Sequence, residues 1–239
     1  MLNNIVKSIF RKLGYDIHKL TDRNRDNKLL ITSVDDFERL KLSYINYSVI
    51  KLHIGCGPRI FKGWINIDLS YEPCDNYLQY YTDKYYPEEI RGDRTDLYAI
   101  DVTERGLPLP DNSVDVIFHE DFLEHLSQRD QIVFLAETYR VLKPGGVHRV
   151  NTPNLLSSMS EHSDFSKGID GVYLDEWNKH NHLNVLTPKN LQELALMVGY
   201  QEVSFNARNQ SRSNLRPLEY RPDPNDRPEE GNIFADLIK

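Results

Sequence analysis

Two short apolar runs, Lys51–Ile54 and Trp64–Asp68, enclose the turn Gly55-Cys56-Gly57-Pro58, and no other feature constrains the chain as much. Each run is too short for a helix and adjoins a glycine, which is the signature of a buried strand. The pattern reads as a strand, a glycine turn, and a second strand that ends in an acid. In an open α/β sheet, ligands bind beyond the carboxyl ends of the strands, where the strand order reverses. Glycine lets the backbone approach a ligand closely, and a carboxylate at the next strand end can accept hydrogen bonds from both hydroxyls of a ribose. The pattern predicts a site for an adenosine-containing cofactor.

A dinucleotide fingerprint requires a third glycine and places its acid about 20 residues further on. Here Ile60 stands at the third glycine position, Pro58 stiffens the turn and Asp68 arrives too early. Further along run Ala99-Ile100-Asp101-Val102, the segment Leu107 to Phe118 with its turn Asp111-Asn112-Ser113, and Arg140 to Gly146. In this order and spacing, over residues 48 to 206, the motifs resemble the class I S-adenosylmethionine-dependent methyltransferases. The resemblance implies a doubly wound, mostly parallel, seven-stranded Rossmann-like sheet whose last strand is antiparallel. It implies S-adenosyl-L-methionine as cofactor. Gly55, Cys56 and Gly57 would pass their backbone against its methionine part, Asp68 followed by Leu69 would hold the ribose, and Asp101 and Val102 would address the adenine. The similarity is greatest to bacterial methyltransferases of surface-glycan pathways, which share the Gly-Cys-Gly turn and the Gly-Trp-Ile-Asn-Ile-Asp strand. That implies O-methylation of a sugar or nucleotide-linked sugar in surface polysaccharide biosynthesis.

The fourth strand leads into His119-Glu120-Asp121-Phe122-Leu123-Glu124-His125, a dense group of ionisable side chains at the cofactor edge. Histidine titrates near neutral pH and is the usual general base there. His119 at the strand tip, where it also borders the cofactor, and His125 one turn later are candidate bases. His182, in His180-Asn181-His182, is a third, with Trp177 as an apolar wall. Asp121, Glu124 and His125 have a spacing that puts three ligands near one face of a helix start. It is similar to the divalent-ion spacing of quinone-biosynthesis O-methyltransferases, which would suit Mg²⁺, although Leu-Glu-His also occurs in relatives without a metal. The run Asn151-Thr152-Pro153-Asn154 lies after the wrong strand for an amino-group methyltransferase motif and lacks its aromatic residue.

Composition sets outer limits. The 29 Lys and Arg against 36 Asp and Glu leave a net charge of −7, which argues against extended nucleic-acid binding. No apolar run reaches the ~20 residues of a membrane-spanning helix, and no secretory signal is visible. Cys56 and Cys74 form neither a disulfide framework nor a metal pattern, and a reducing cytoplasm fits them. Residues 1–28 are locally basic, and Ile5, Ile9 and Leu13 recur at helical spacing. A helical N-terminal extension over 1–30 is expected, packed on the domain or a second subunit. Its alternative is a peripheral contact with an anionic membrane, placing the protein at the inner face.

The methyltransferase domain is expected over 31–239, with a Tyr-rich insert at 70–96 and a Pro/Arg-rich excursion at 207–231. Ser33 and Asp36 predict an N-cap pair for a helix through Asn46, and Leu123–Leu142 predicts a helix stopped by Pro144. Thr187-Pro188 predicts another helix, ended by Gly199. Strands are expected at Val114–Phe118, Val147–Asn151, Glu202–Phe205 and Ile233–Leu237. Two rival functions are a methyltransferase of a quinone-like or other small metabolite, and a cofactor-binding scaffold subunit without catalysis.

Overall fold

Apolar alternation along the predicted strands produces a seven-stranded sheet in the structure, a computed structural model. It describes residues 15–19, 29–33, 35–74, 83, 86–160, 163, 171–214, 219 and 229–239, with side chains from Asp36 onward except that of Tyr173. A small antiparallel pair, β1 (Tyr15–Lys19) with β2 (Leu29–Ser33), precedes the sheet in sequence. The central strands are β3 (Lys51–Ile54), β4 (Ile65–Asp68), β5 (Leu97–Ala99), β6 (Val114–Glu120), β7 (Leu142–Pro153), β8 (Glu202–Phe205) and β9 (Asn232–Ile238). Their order is β5-β4-β3-β6-β7-β9-β8, and β9 alone is antiparallel to its neighbours. The expected mostly parallel sheet with one reversed strand is what forms. Its order reverses between β3 and β6, which opens the crevice that such sheets use for ligands.

The helices are α1 (Asp35–Ser43), α2 (Val102–Arg105), α3 (Gln128–Val141), α4 (Leu155–Ser158), α5 (Gly171–His180) and α6 (Pro188–Val198). Successive strand residues point to opposite faces, and the two faces differ in chemistry. One is apolar: Leu52, Ile54, Ile65 and Ile117 pack on Leu40, Phe134, Leu135 and Leu191 from α1, α3 and α6. The other carries buried polar groups, among them His53, Asn66, Arg149 and Asp236. Among the described residues, irregular chain covers it: Phe61, Trp64 and Tyr86 pack over Val116, Phe118 and Val147. Arg149 there pairs with Glu219 and Asp236, which ties the segment after β8 to the sheet.

Several expectations are corrected. Tyr15–Lys19, inside the basic stretch expected to be helical, is a strand, and residues 1–14 and 20–28 lie outside the described residues. Asp36 does not cap α1. Its buried carboxylate accepts from Arg39, Arg94 and the Ala99 amide, which fastens α1 to β5. The helix expected over Leu123–Leu142 breaks after one 3-10 turn, Leu123–His125, and restarts at Gln128 with Ser127 as N-cap. Leu126 is extended at that break (ψ 144°). The α6 helix begins and ends as expected, with Thr187 accepting from the Asn190 amide and Gly199 at φ 127°. Most of the tyrosine insert and residues 215–218 and 220–228 of the excursion lie outside the described residues. No described helix is long and apolar enough to cross a membrane.

Candidate active site

The glycine turn follows β3 at the point where the sheet order reverses. Gly55 and Gly57 have φ of +63° and +51°, a region glycine enters without steric cost. At Gly55 a side chain is blocked twice, because an added Cβ would lie 2.4 Å from the Phe122 ring. The Gly55 amide donates to the Ile67 carbonyl at 2.8 Å, and the Gly57 amide donates to Asp68 Oδ2 at 2.7 Å. Asp68 Oδ1 accepts from the Leu69 amide at 2.6 Å. The strand-end acid and the turn therefore hold one another. Burial raises the Asp68 carboxyl above its ordinary range, against the amides of Gly57, Leu69 and Ser70, which lower it.

Asn66 explains why the turn and the acid keep this distance. It is fully buried, accepts from the Phe61 amide at 2.8 Å, and donates to the carbonyls of Phe61, Trp64 and Asp96. One side chain thus shapes the whole loop between β3 and β4. Cys56 points away from the crevice, packed with Ile60, Leu97 and Ala99, so it can offer a ligand only its backbone. Asp101, after β5, is the N-cap of α2: its Oδ1 accepts from the Thr103 and Glu104 amides, and Val102 is the buried first residue of the helix.

The acceptor candidates separate sharply. His119 is fully buried, with ring contacts to Phe122, Phe134 and His148 at 5.8, 5.3 and 5.1 Å. Among the described residues neither of its ring nitrogens has a hydrogen-bond partner, and burial lowers its pKa to about 3. His125 is exposed and His182 is half-buried, and their ring centroids are 5.1 Å apart. His182 Nδ1 lies 2.6 Å from Glu176 Oε2, and its Nε2 lies 3.8 Å from Glu124 Oε1. Burial pushes the Glu176 carboxyl up, but the hydrogen bonds from His182 and Ser158 outweigh it and hold the group low. Glu124 is buried, and its Oε2 accepts from Thr152 at 2.9 Å.

Glu124, His125 and His182 offer ligand atoms that all lie within 4.8 Å of one another. Asp121, expected to be the third ligand, is not part of this cluster. Its φ of +49° takes it out of the helical geometry that the spacing assumed. Trp177 is half-buried on α5. The sequence reading missed Glu176, which no local motif marks, and a buried chain from Arg59 to Glu120 (3.1 Å), to Asn151 (2.7 Å) and to Asn232 (2.7 Å). That chain links the glycine turn to the ends of β6, β7 and β9.

Comparison with known proteins agrees with this geometry. Residues 52–150 match the family model described as "Methyltransferase domain". A "Probable S-adenosylmethionine-dependent methyltransferase" of Mycolicibacterium smegmatis is 53% identical over 64 residues, covering 27% of this chain and 21% of that protein. One of the same description from Mycobacterium tuberculosis is 47% identical over 99 residues, covering 41% of this chain and 31% of that protein. The chain thus matches only 21% to 31% of the length of these curated relatives. A crystal structure of a SAM-dependent methyltransferase from Archaeoglobus fulgidus aligns with 86% of this chain and 97% of its own, at 18% identity and a TM-score of 0.49. Residues 52–150 are thus similar to the methyltransferase-domain family, and the seven-stranded Rossmann-like sheet frames them.

Proposed function

We propose that the protein transfers a methyl group from S-adenosylmethionine to a hydroxyl of a sugar or nucleotide-linked sugar. The residues fit the cofactor: Gly55 keeps side chains out of the turn, and backbone amides occupy only part of the four lone-pair sites of Asp68, which leaves acceptor capacity for ribose hydroxyls. Bound there, the sulfonium supplies an electrophilic methyl group, so the protein has to add alignment and a route for the acceptor's proton.

The observation that carries the hydroxyl reading is the His182–Glu176 pair. A carboxylate on Nδ1 fixes the ring and its tautomer and leaves Nε2 to act, which is how an imidazole is held for proton transfer. The pair stands beside Glu124 and His125. Phe122, in van der Waals range of the glycine turn, immediately precedes the 3-10 turn that bears both. The acceptor hydroxyl loses its proton at this cluster. His119, walled in by aromatic rings, takes no part. The sugar itself rests on the surface-glycan resemblance of the Gly-Cys-Gly and Gly-Trp-Ile-Asn-Ile-Asp segments. A phenolic or other small-metabolite acceptor is the second reading, favoured by the carboxylate–imidazole donor set.

Calorimetric titration of S-adenosylhomocysteine tests the donor site. Wild type is expected to bind in the micromolar range, Asp68→Ala to bind at least ~10-fold more weakly, and nicotinamide dinucleotides not to bind. Absence of wild-type binding would leave the glycine turn a structural feature and remove the reading. With an acceptor in hand, His182→Ala is expected to lose ~10²-fold or more in turnover with homocysteine-analogue affinity kept. Homodimerisation and membrane contact through residues 1–28 belong to the same proposal. Vesicle flotation of the full and truncated chains tests the contact, and equal behaviour would dismiss it.

A further inference from the structure

We propose that Glu124, His125 and His182 bind one divalent cation of the zinc, iron or cobalt class. The proposal stands on this cluster alone and not on the methyl-transfer reading. Three ligand atoms from two separate chain segments converge within 4.8 Å, and His182 Nε2 is 3.8 Å from Glu124 Oε1. Ligand atoms around a tetrahedral zinc with ~2.0–2.1 Å bonds stand roughly 3.3 Å apart, so small side-chain rotations close the site.

Each ligand is also held from behind. Metal-binding imidazoles almost always donate their other N–H to a carboxylate or a backbone carbonyl. His182 Nδ1 has Glu176 at 2.6 Å, and Glu176 in turn accepts from Ser158. A ring N–H of His125 donates to the Asn181 carbonyl. Glu124 Oε2 accepts from Thr152, and the Glu124 carbonyl accepts from the Leu183 and Asn184 amides, which clamps the segment carrying His182 against the turn carrying Glu124. Two imidazoles with one carboxylate favour borderline ions over Mg²⁺, which prefers oxygen ligands and several waters. The exposure of His125 leaves one side of the cluster open to further ligands. With an ion bound, the His182 Nε2 lone pair would be spent on it, and an acceptor oxygen would be acidified by the ion in place of proton abstraction by His182.

The test is Co²⁺ and Zn²⁺ titration of chelator-treated full-length protein without cofactor or acceptor, read by calorimetry and by cobalt visible absorption. Wild type is expected to bind one ion per chain at micromolar affinity or better. His125→Ala, at an exposed position that does not threaten folding, and His182→Ala are each expected to weaken binding ~100-fold or more. Glu176→Gln, which keeps the hydrogen bond's size but not its charge, is expected to weaken it 10–100-fold. Thermal melts confirm that each variant is folded. Absence of stoichiometric binding by wild type, or binding that survives both histidine substitutions, overturns the site. Because no methyl donor is present, that failure is distinct from a failure to bind S-adenosylhomocysteine.

Discussion

An alanine methyl at Gly55 would meet two obstacles at once: the left-handed backbone at φ +63° and the Phe122 ring 2.4 Å away. The first costs about 1–2 kcal/mol and the second about 1–3 kcal/mol. Gly55→Ala is expected to lose about 2–5 kcal/mol in urea unfolding, and in a Phe122→Ala background the loss caused by Gly55→Ala should shrink by the steric part. Equal unfolding midpoints for Gly55→Ala and wild type would refute the packing described. At this scale the meeting of Gly55, Gly57 and Asp68 at one turn was legible because it is local, with the spacing fixed by a neighbour, Asn66. Glu176 was not, because it meets His182 only after α5 and the following turn have folded. The burial of the His119 ring was not legible either, for a related reason. It sits near the strand end as expected, but the alternation of β6 sends its ring to the helix-covered face, toward Phe134 and His148.

The break between the 3-10 turn at Leu123–His125 and α3 shows what periodicity conceals at the scale of elements. The apolar pattern from Leu123 to Leu142 continues through the break, because the turn and the helix bury onto the same core. The hydrogen bonds differ, with Ser127 Oγ accepting from the Asp130 amide to cap a new helix that starts at Gln128. Strands were easier to read, since central strands such as β3, β4 and β6 are short, mostly buried runs of the parallel sheet. The Arg59–Glu120 pair fastens the turn after β3 to the end of β6, with side chains only 3% and 5% exposed. Removing one partner of such a pair strands the other charge, at a typical cost of 3–5 kcal/mol. Arg59→Met is expected to lose about that much stability, and adding Glu120→Gln should recover part of it. Denaturation midpoints of the two variants measure this, and a double variant no better than the single would show that the loss comes from packing instead.

At the scale of the molecule, three wholly buried histidines among the described residues make stability depend on pH. Burial pushes His53 and His148 well below the ordinary range and His119 to about 3. A histidine with a lowered pKa in the fold stabilises it fully above the unfolded value of ~6.5, because there both states are neutral. As pH falls below that value the unfolded chain takes up the proton first, and stability is lost down to the folded pKa. Each residue contributes a slope of about 1.4 kcal/mol per pH unit within that window. Between pH 7.0 and 5.5 the three together should remove about 4 kcal/mol, before carboxylates with ordinary values begin to titrate. Neither nitrogen of His119 has a hydrogen-bond partner among the described residues, so His119→Phe forfeits no bond and joins an existing aromatic group. It should match or exceed wild-type stability at pH 7.0, reduce the loss at pH 5.5 by about one third, and keep methyl transfer. Urea unfolding at the two pH values measures the first two outcomes. A variant with an unchanged pH loss would show that His119 carries a proton in the fold, and loss of turnover alone would return it to the reaction.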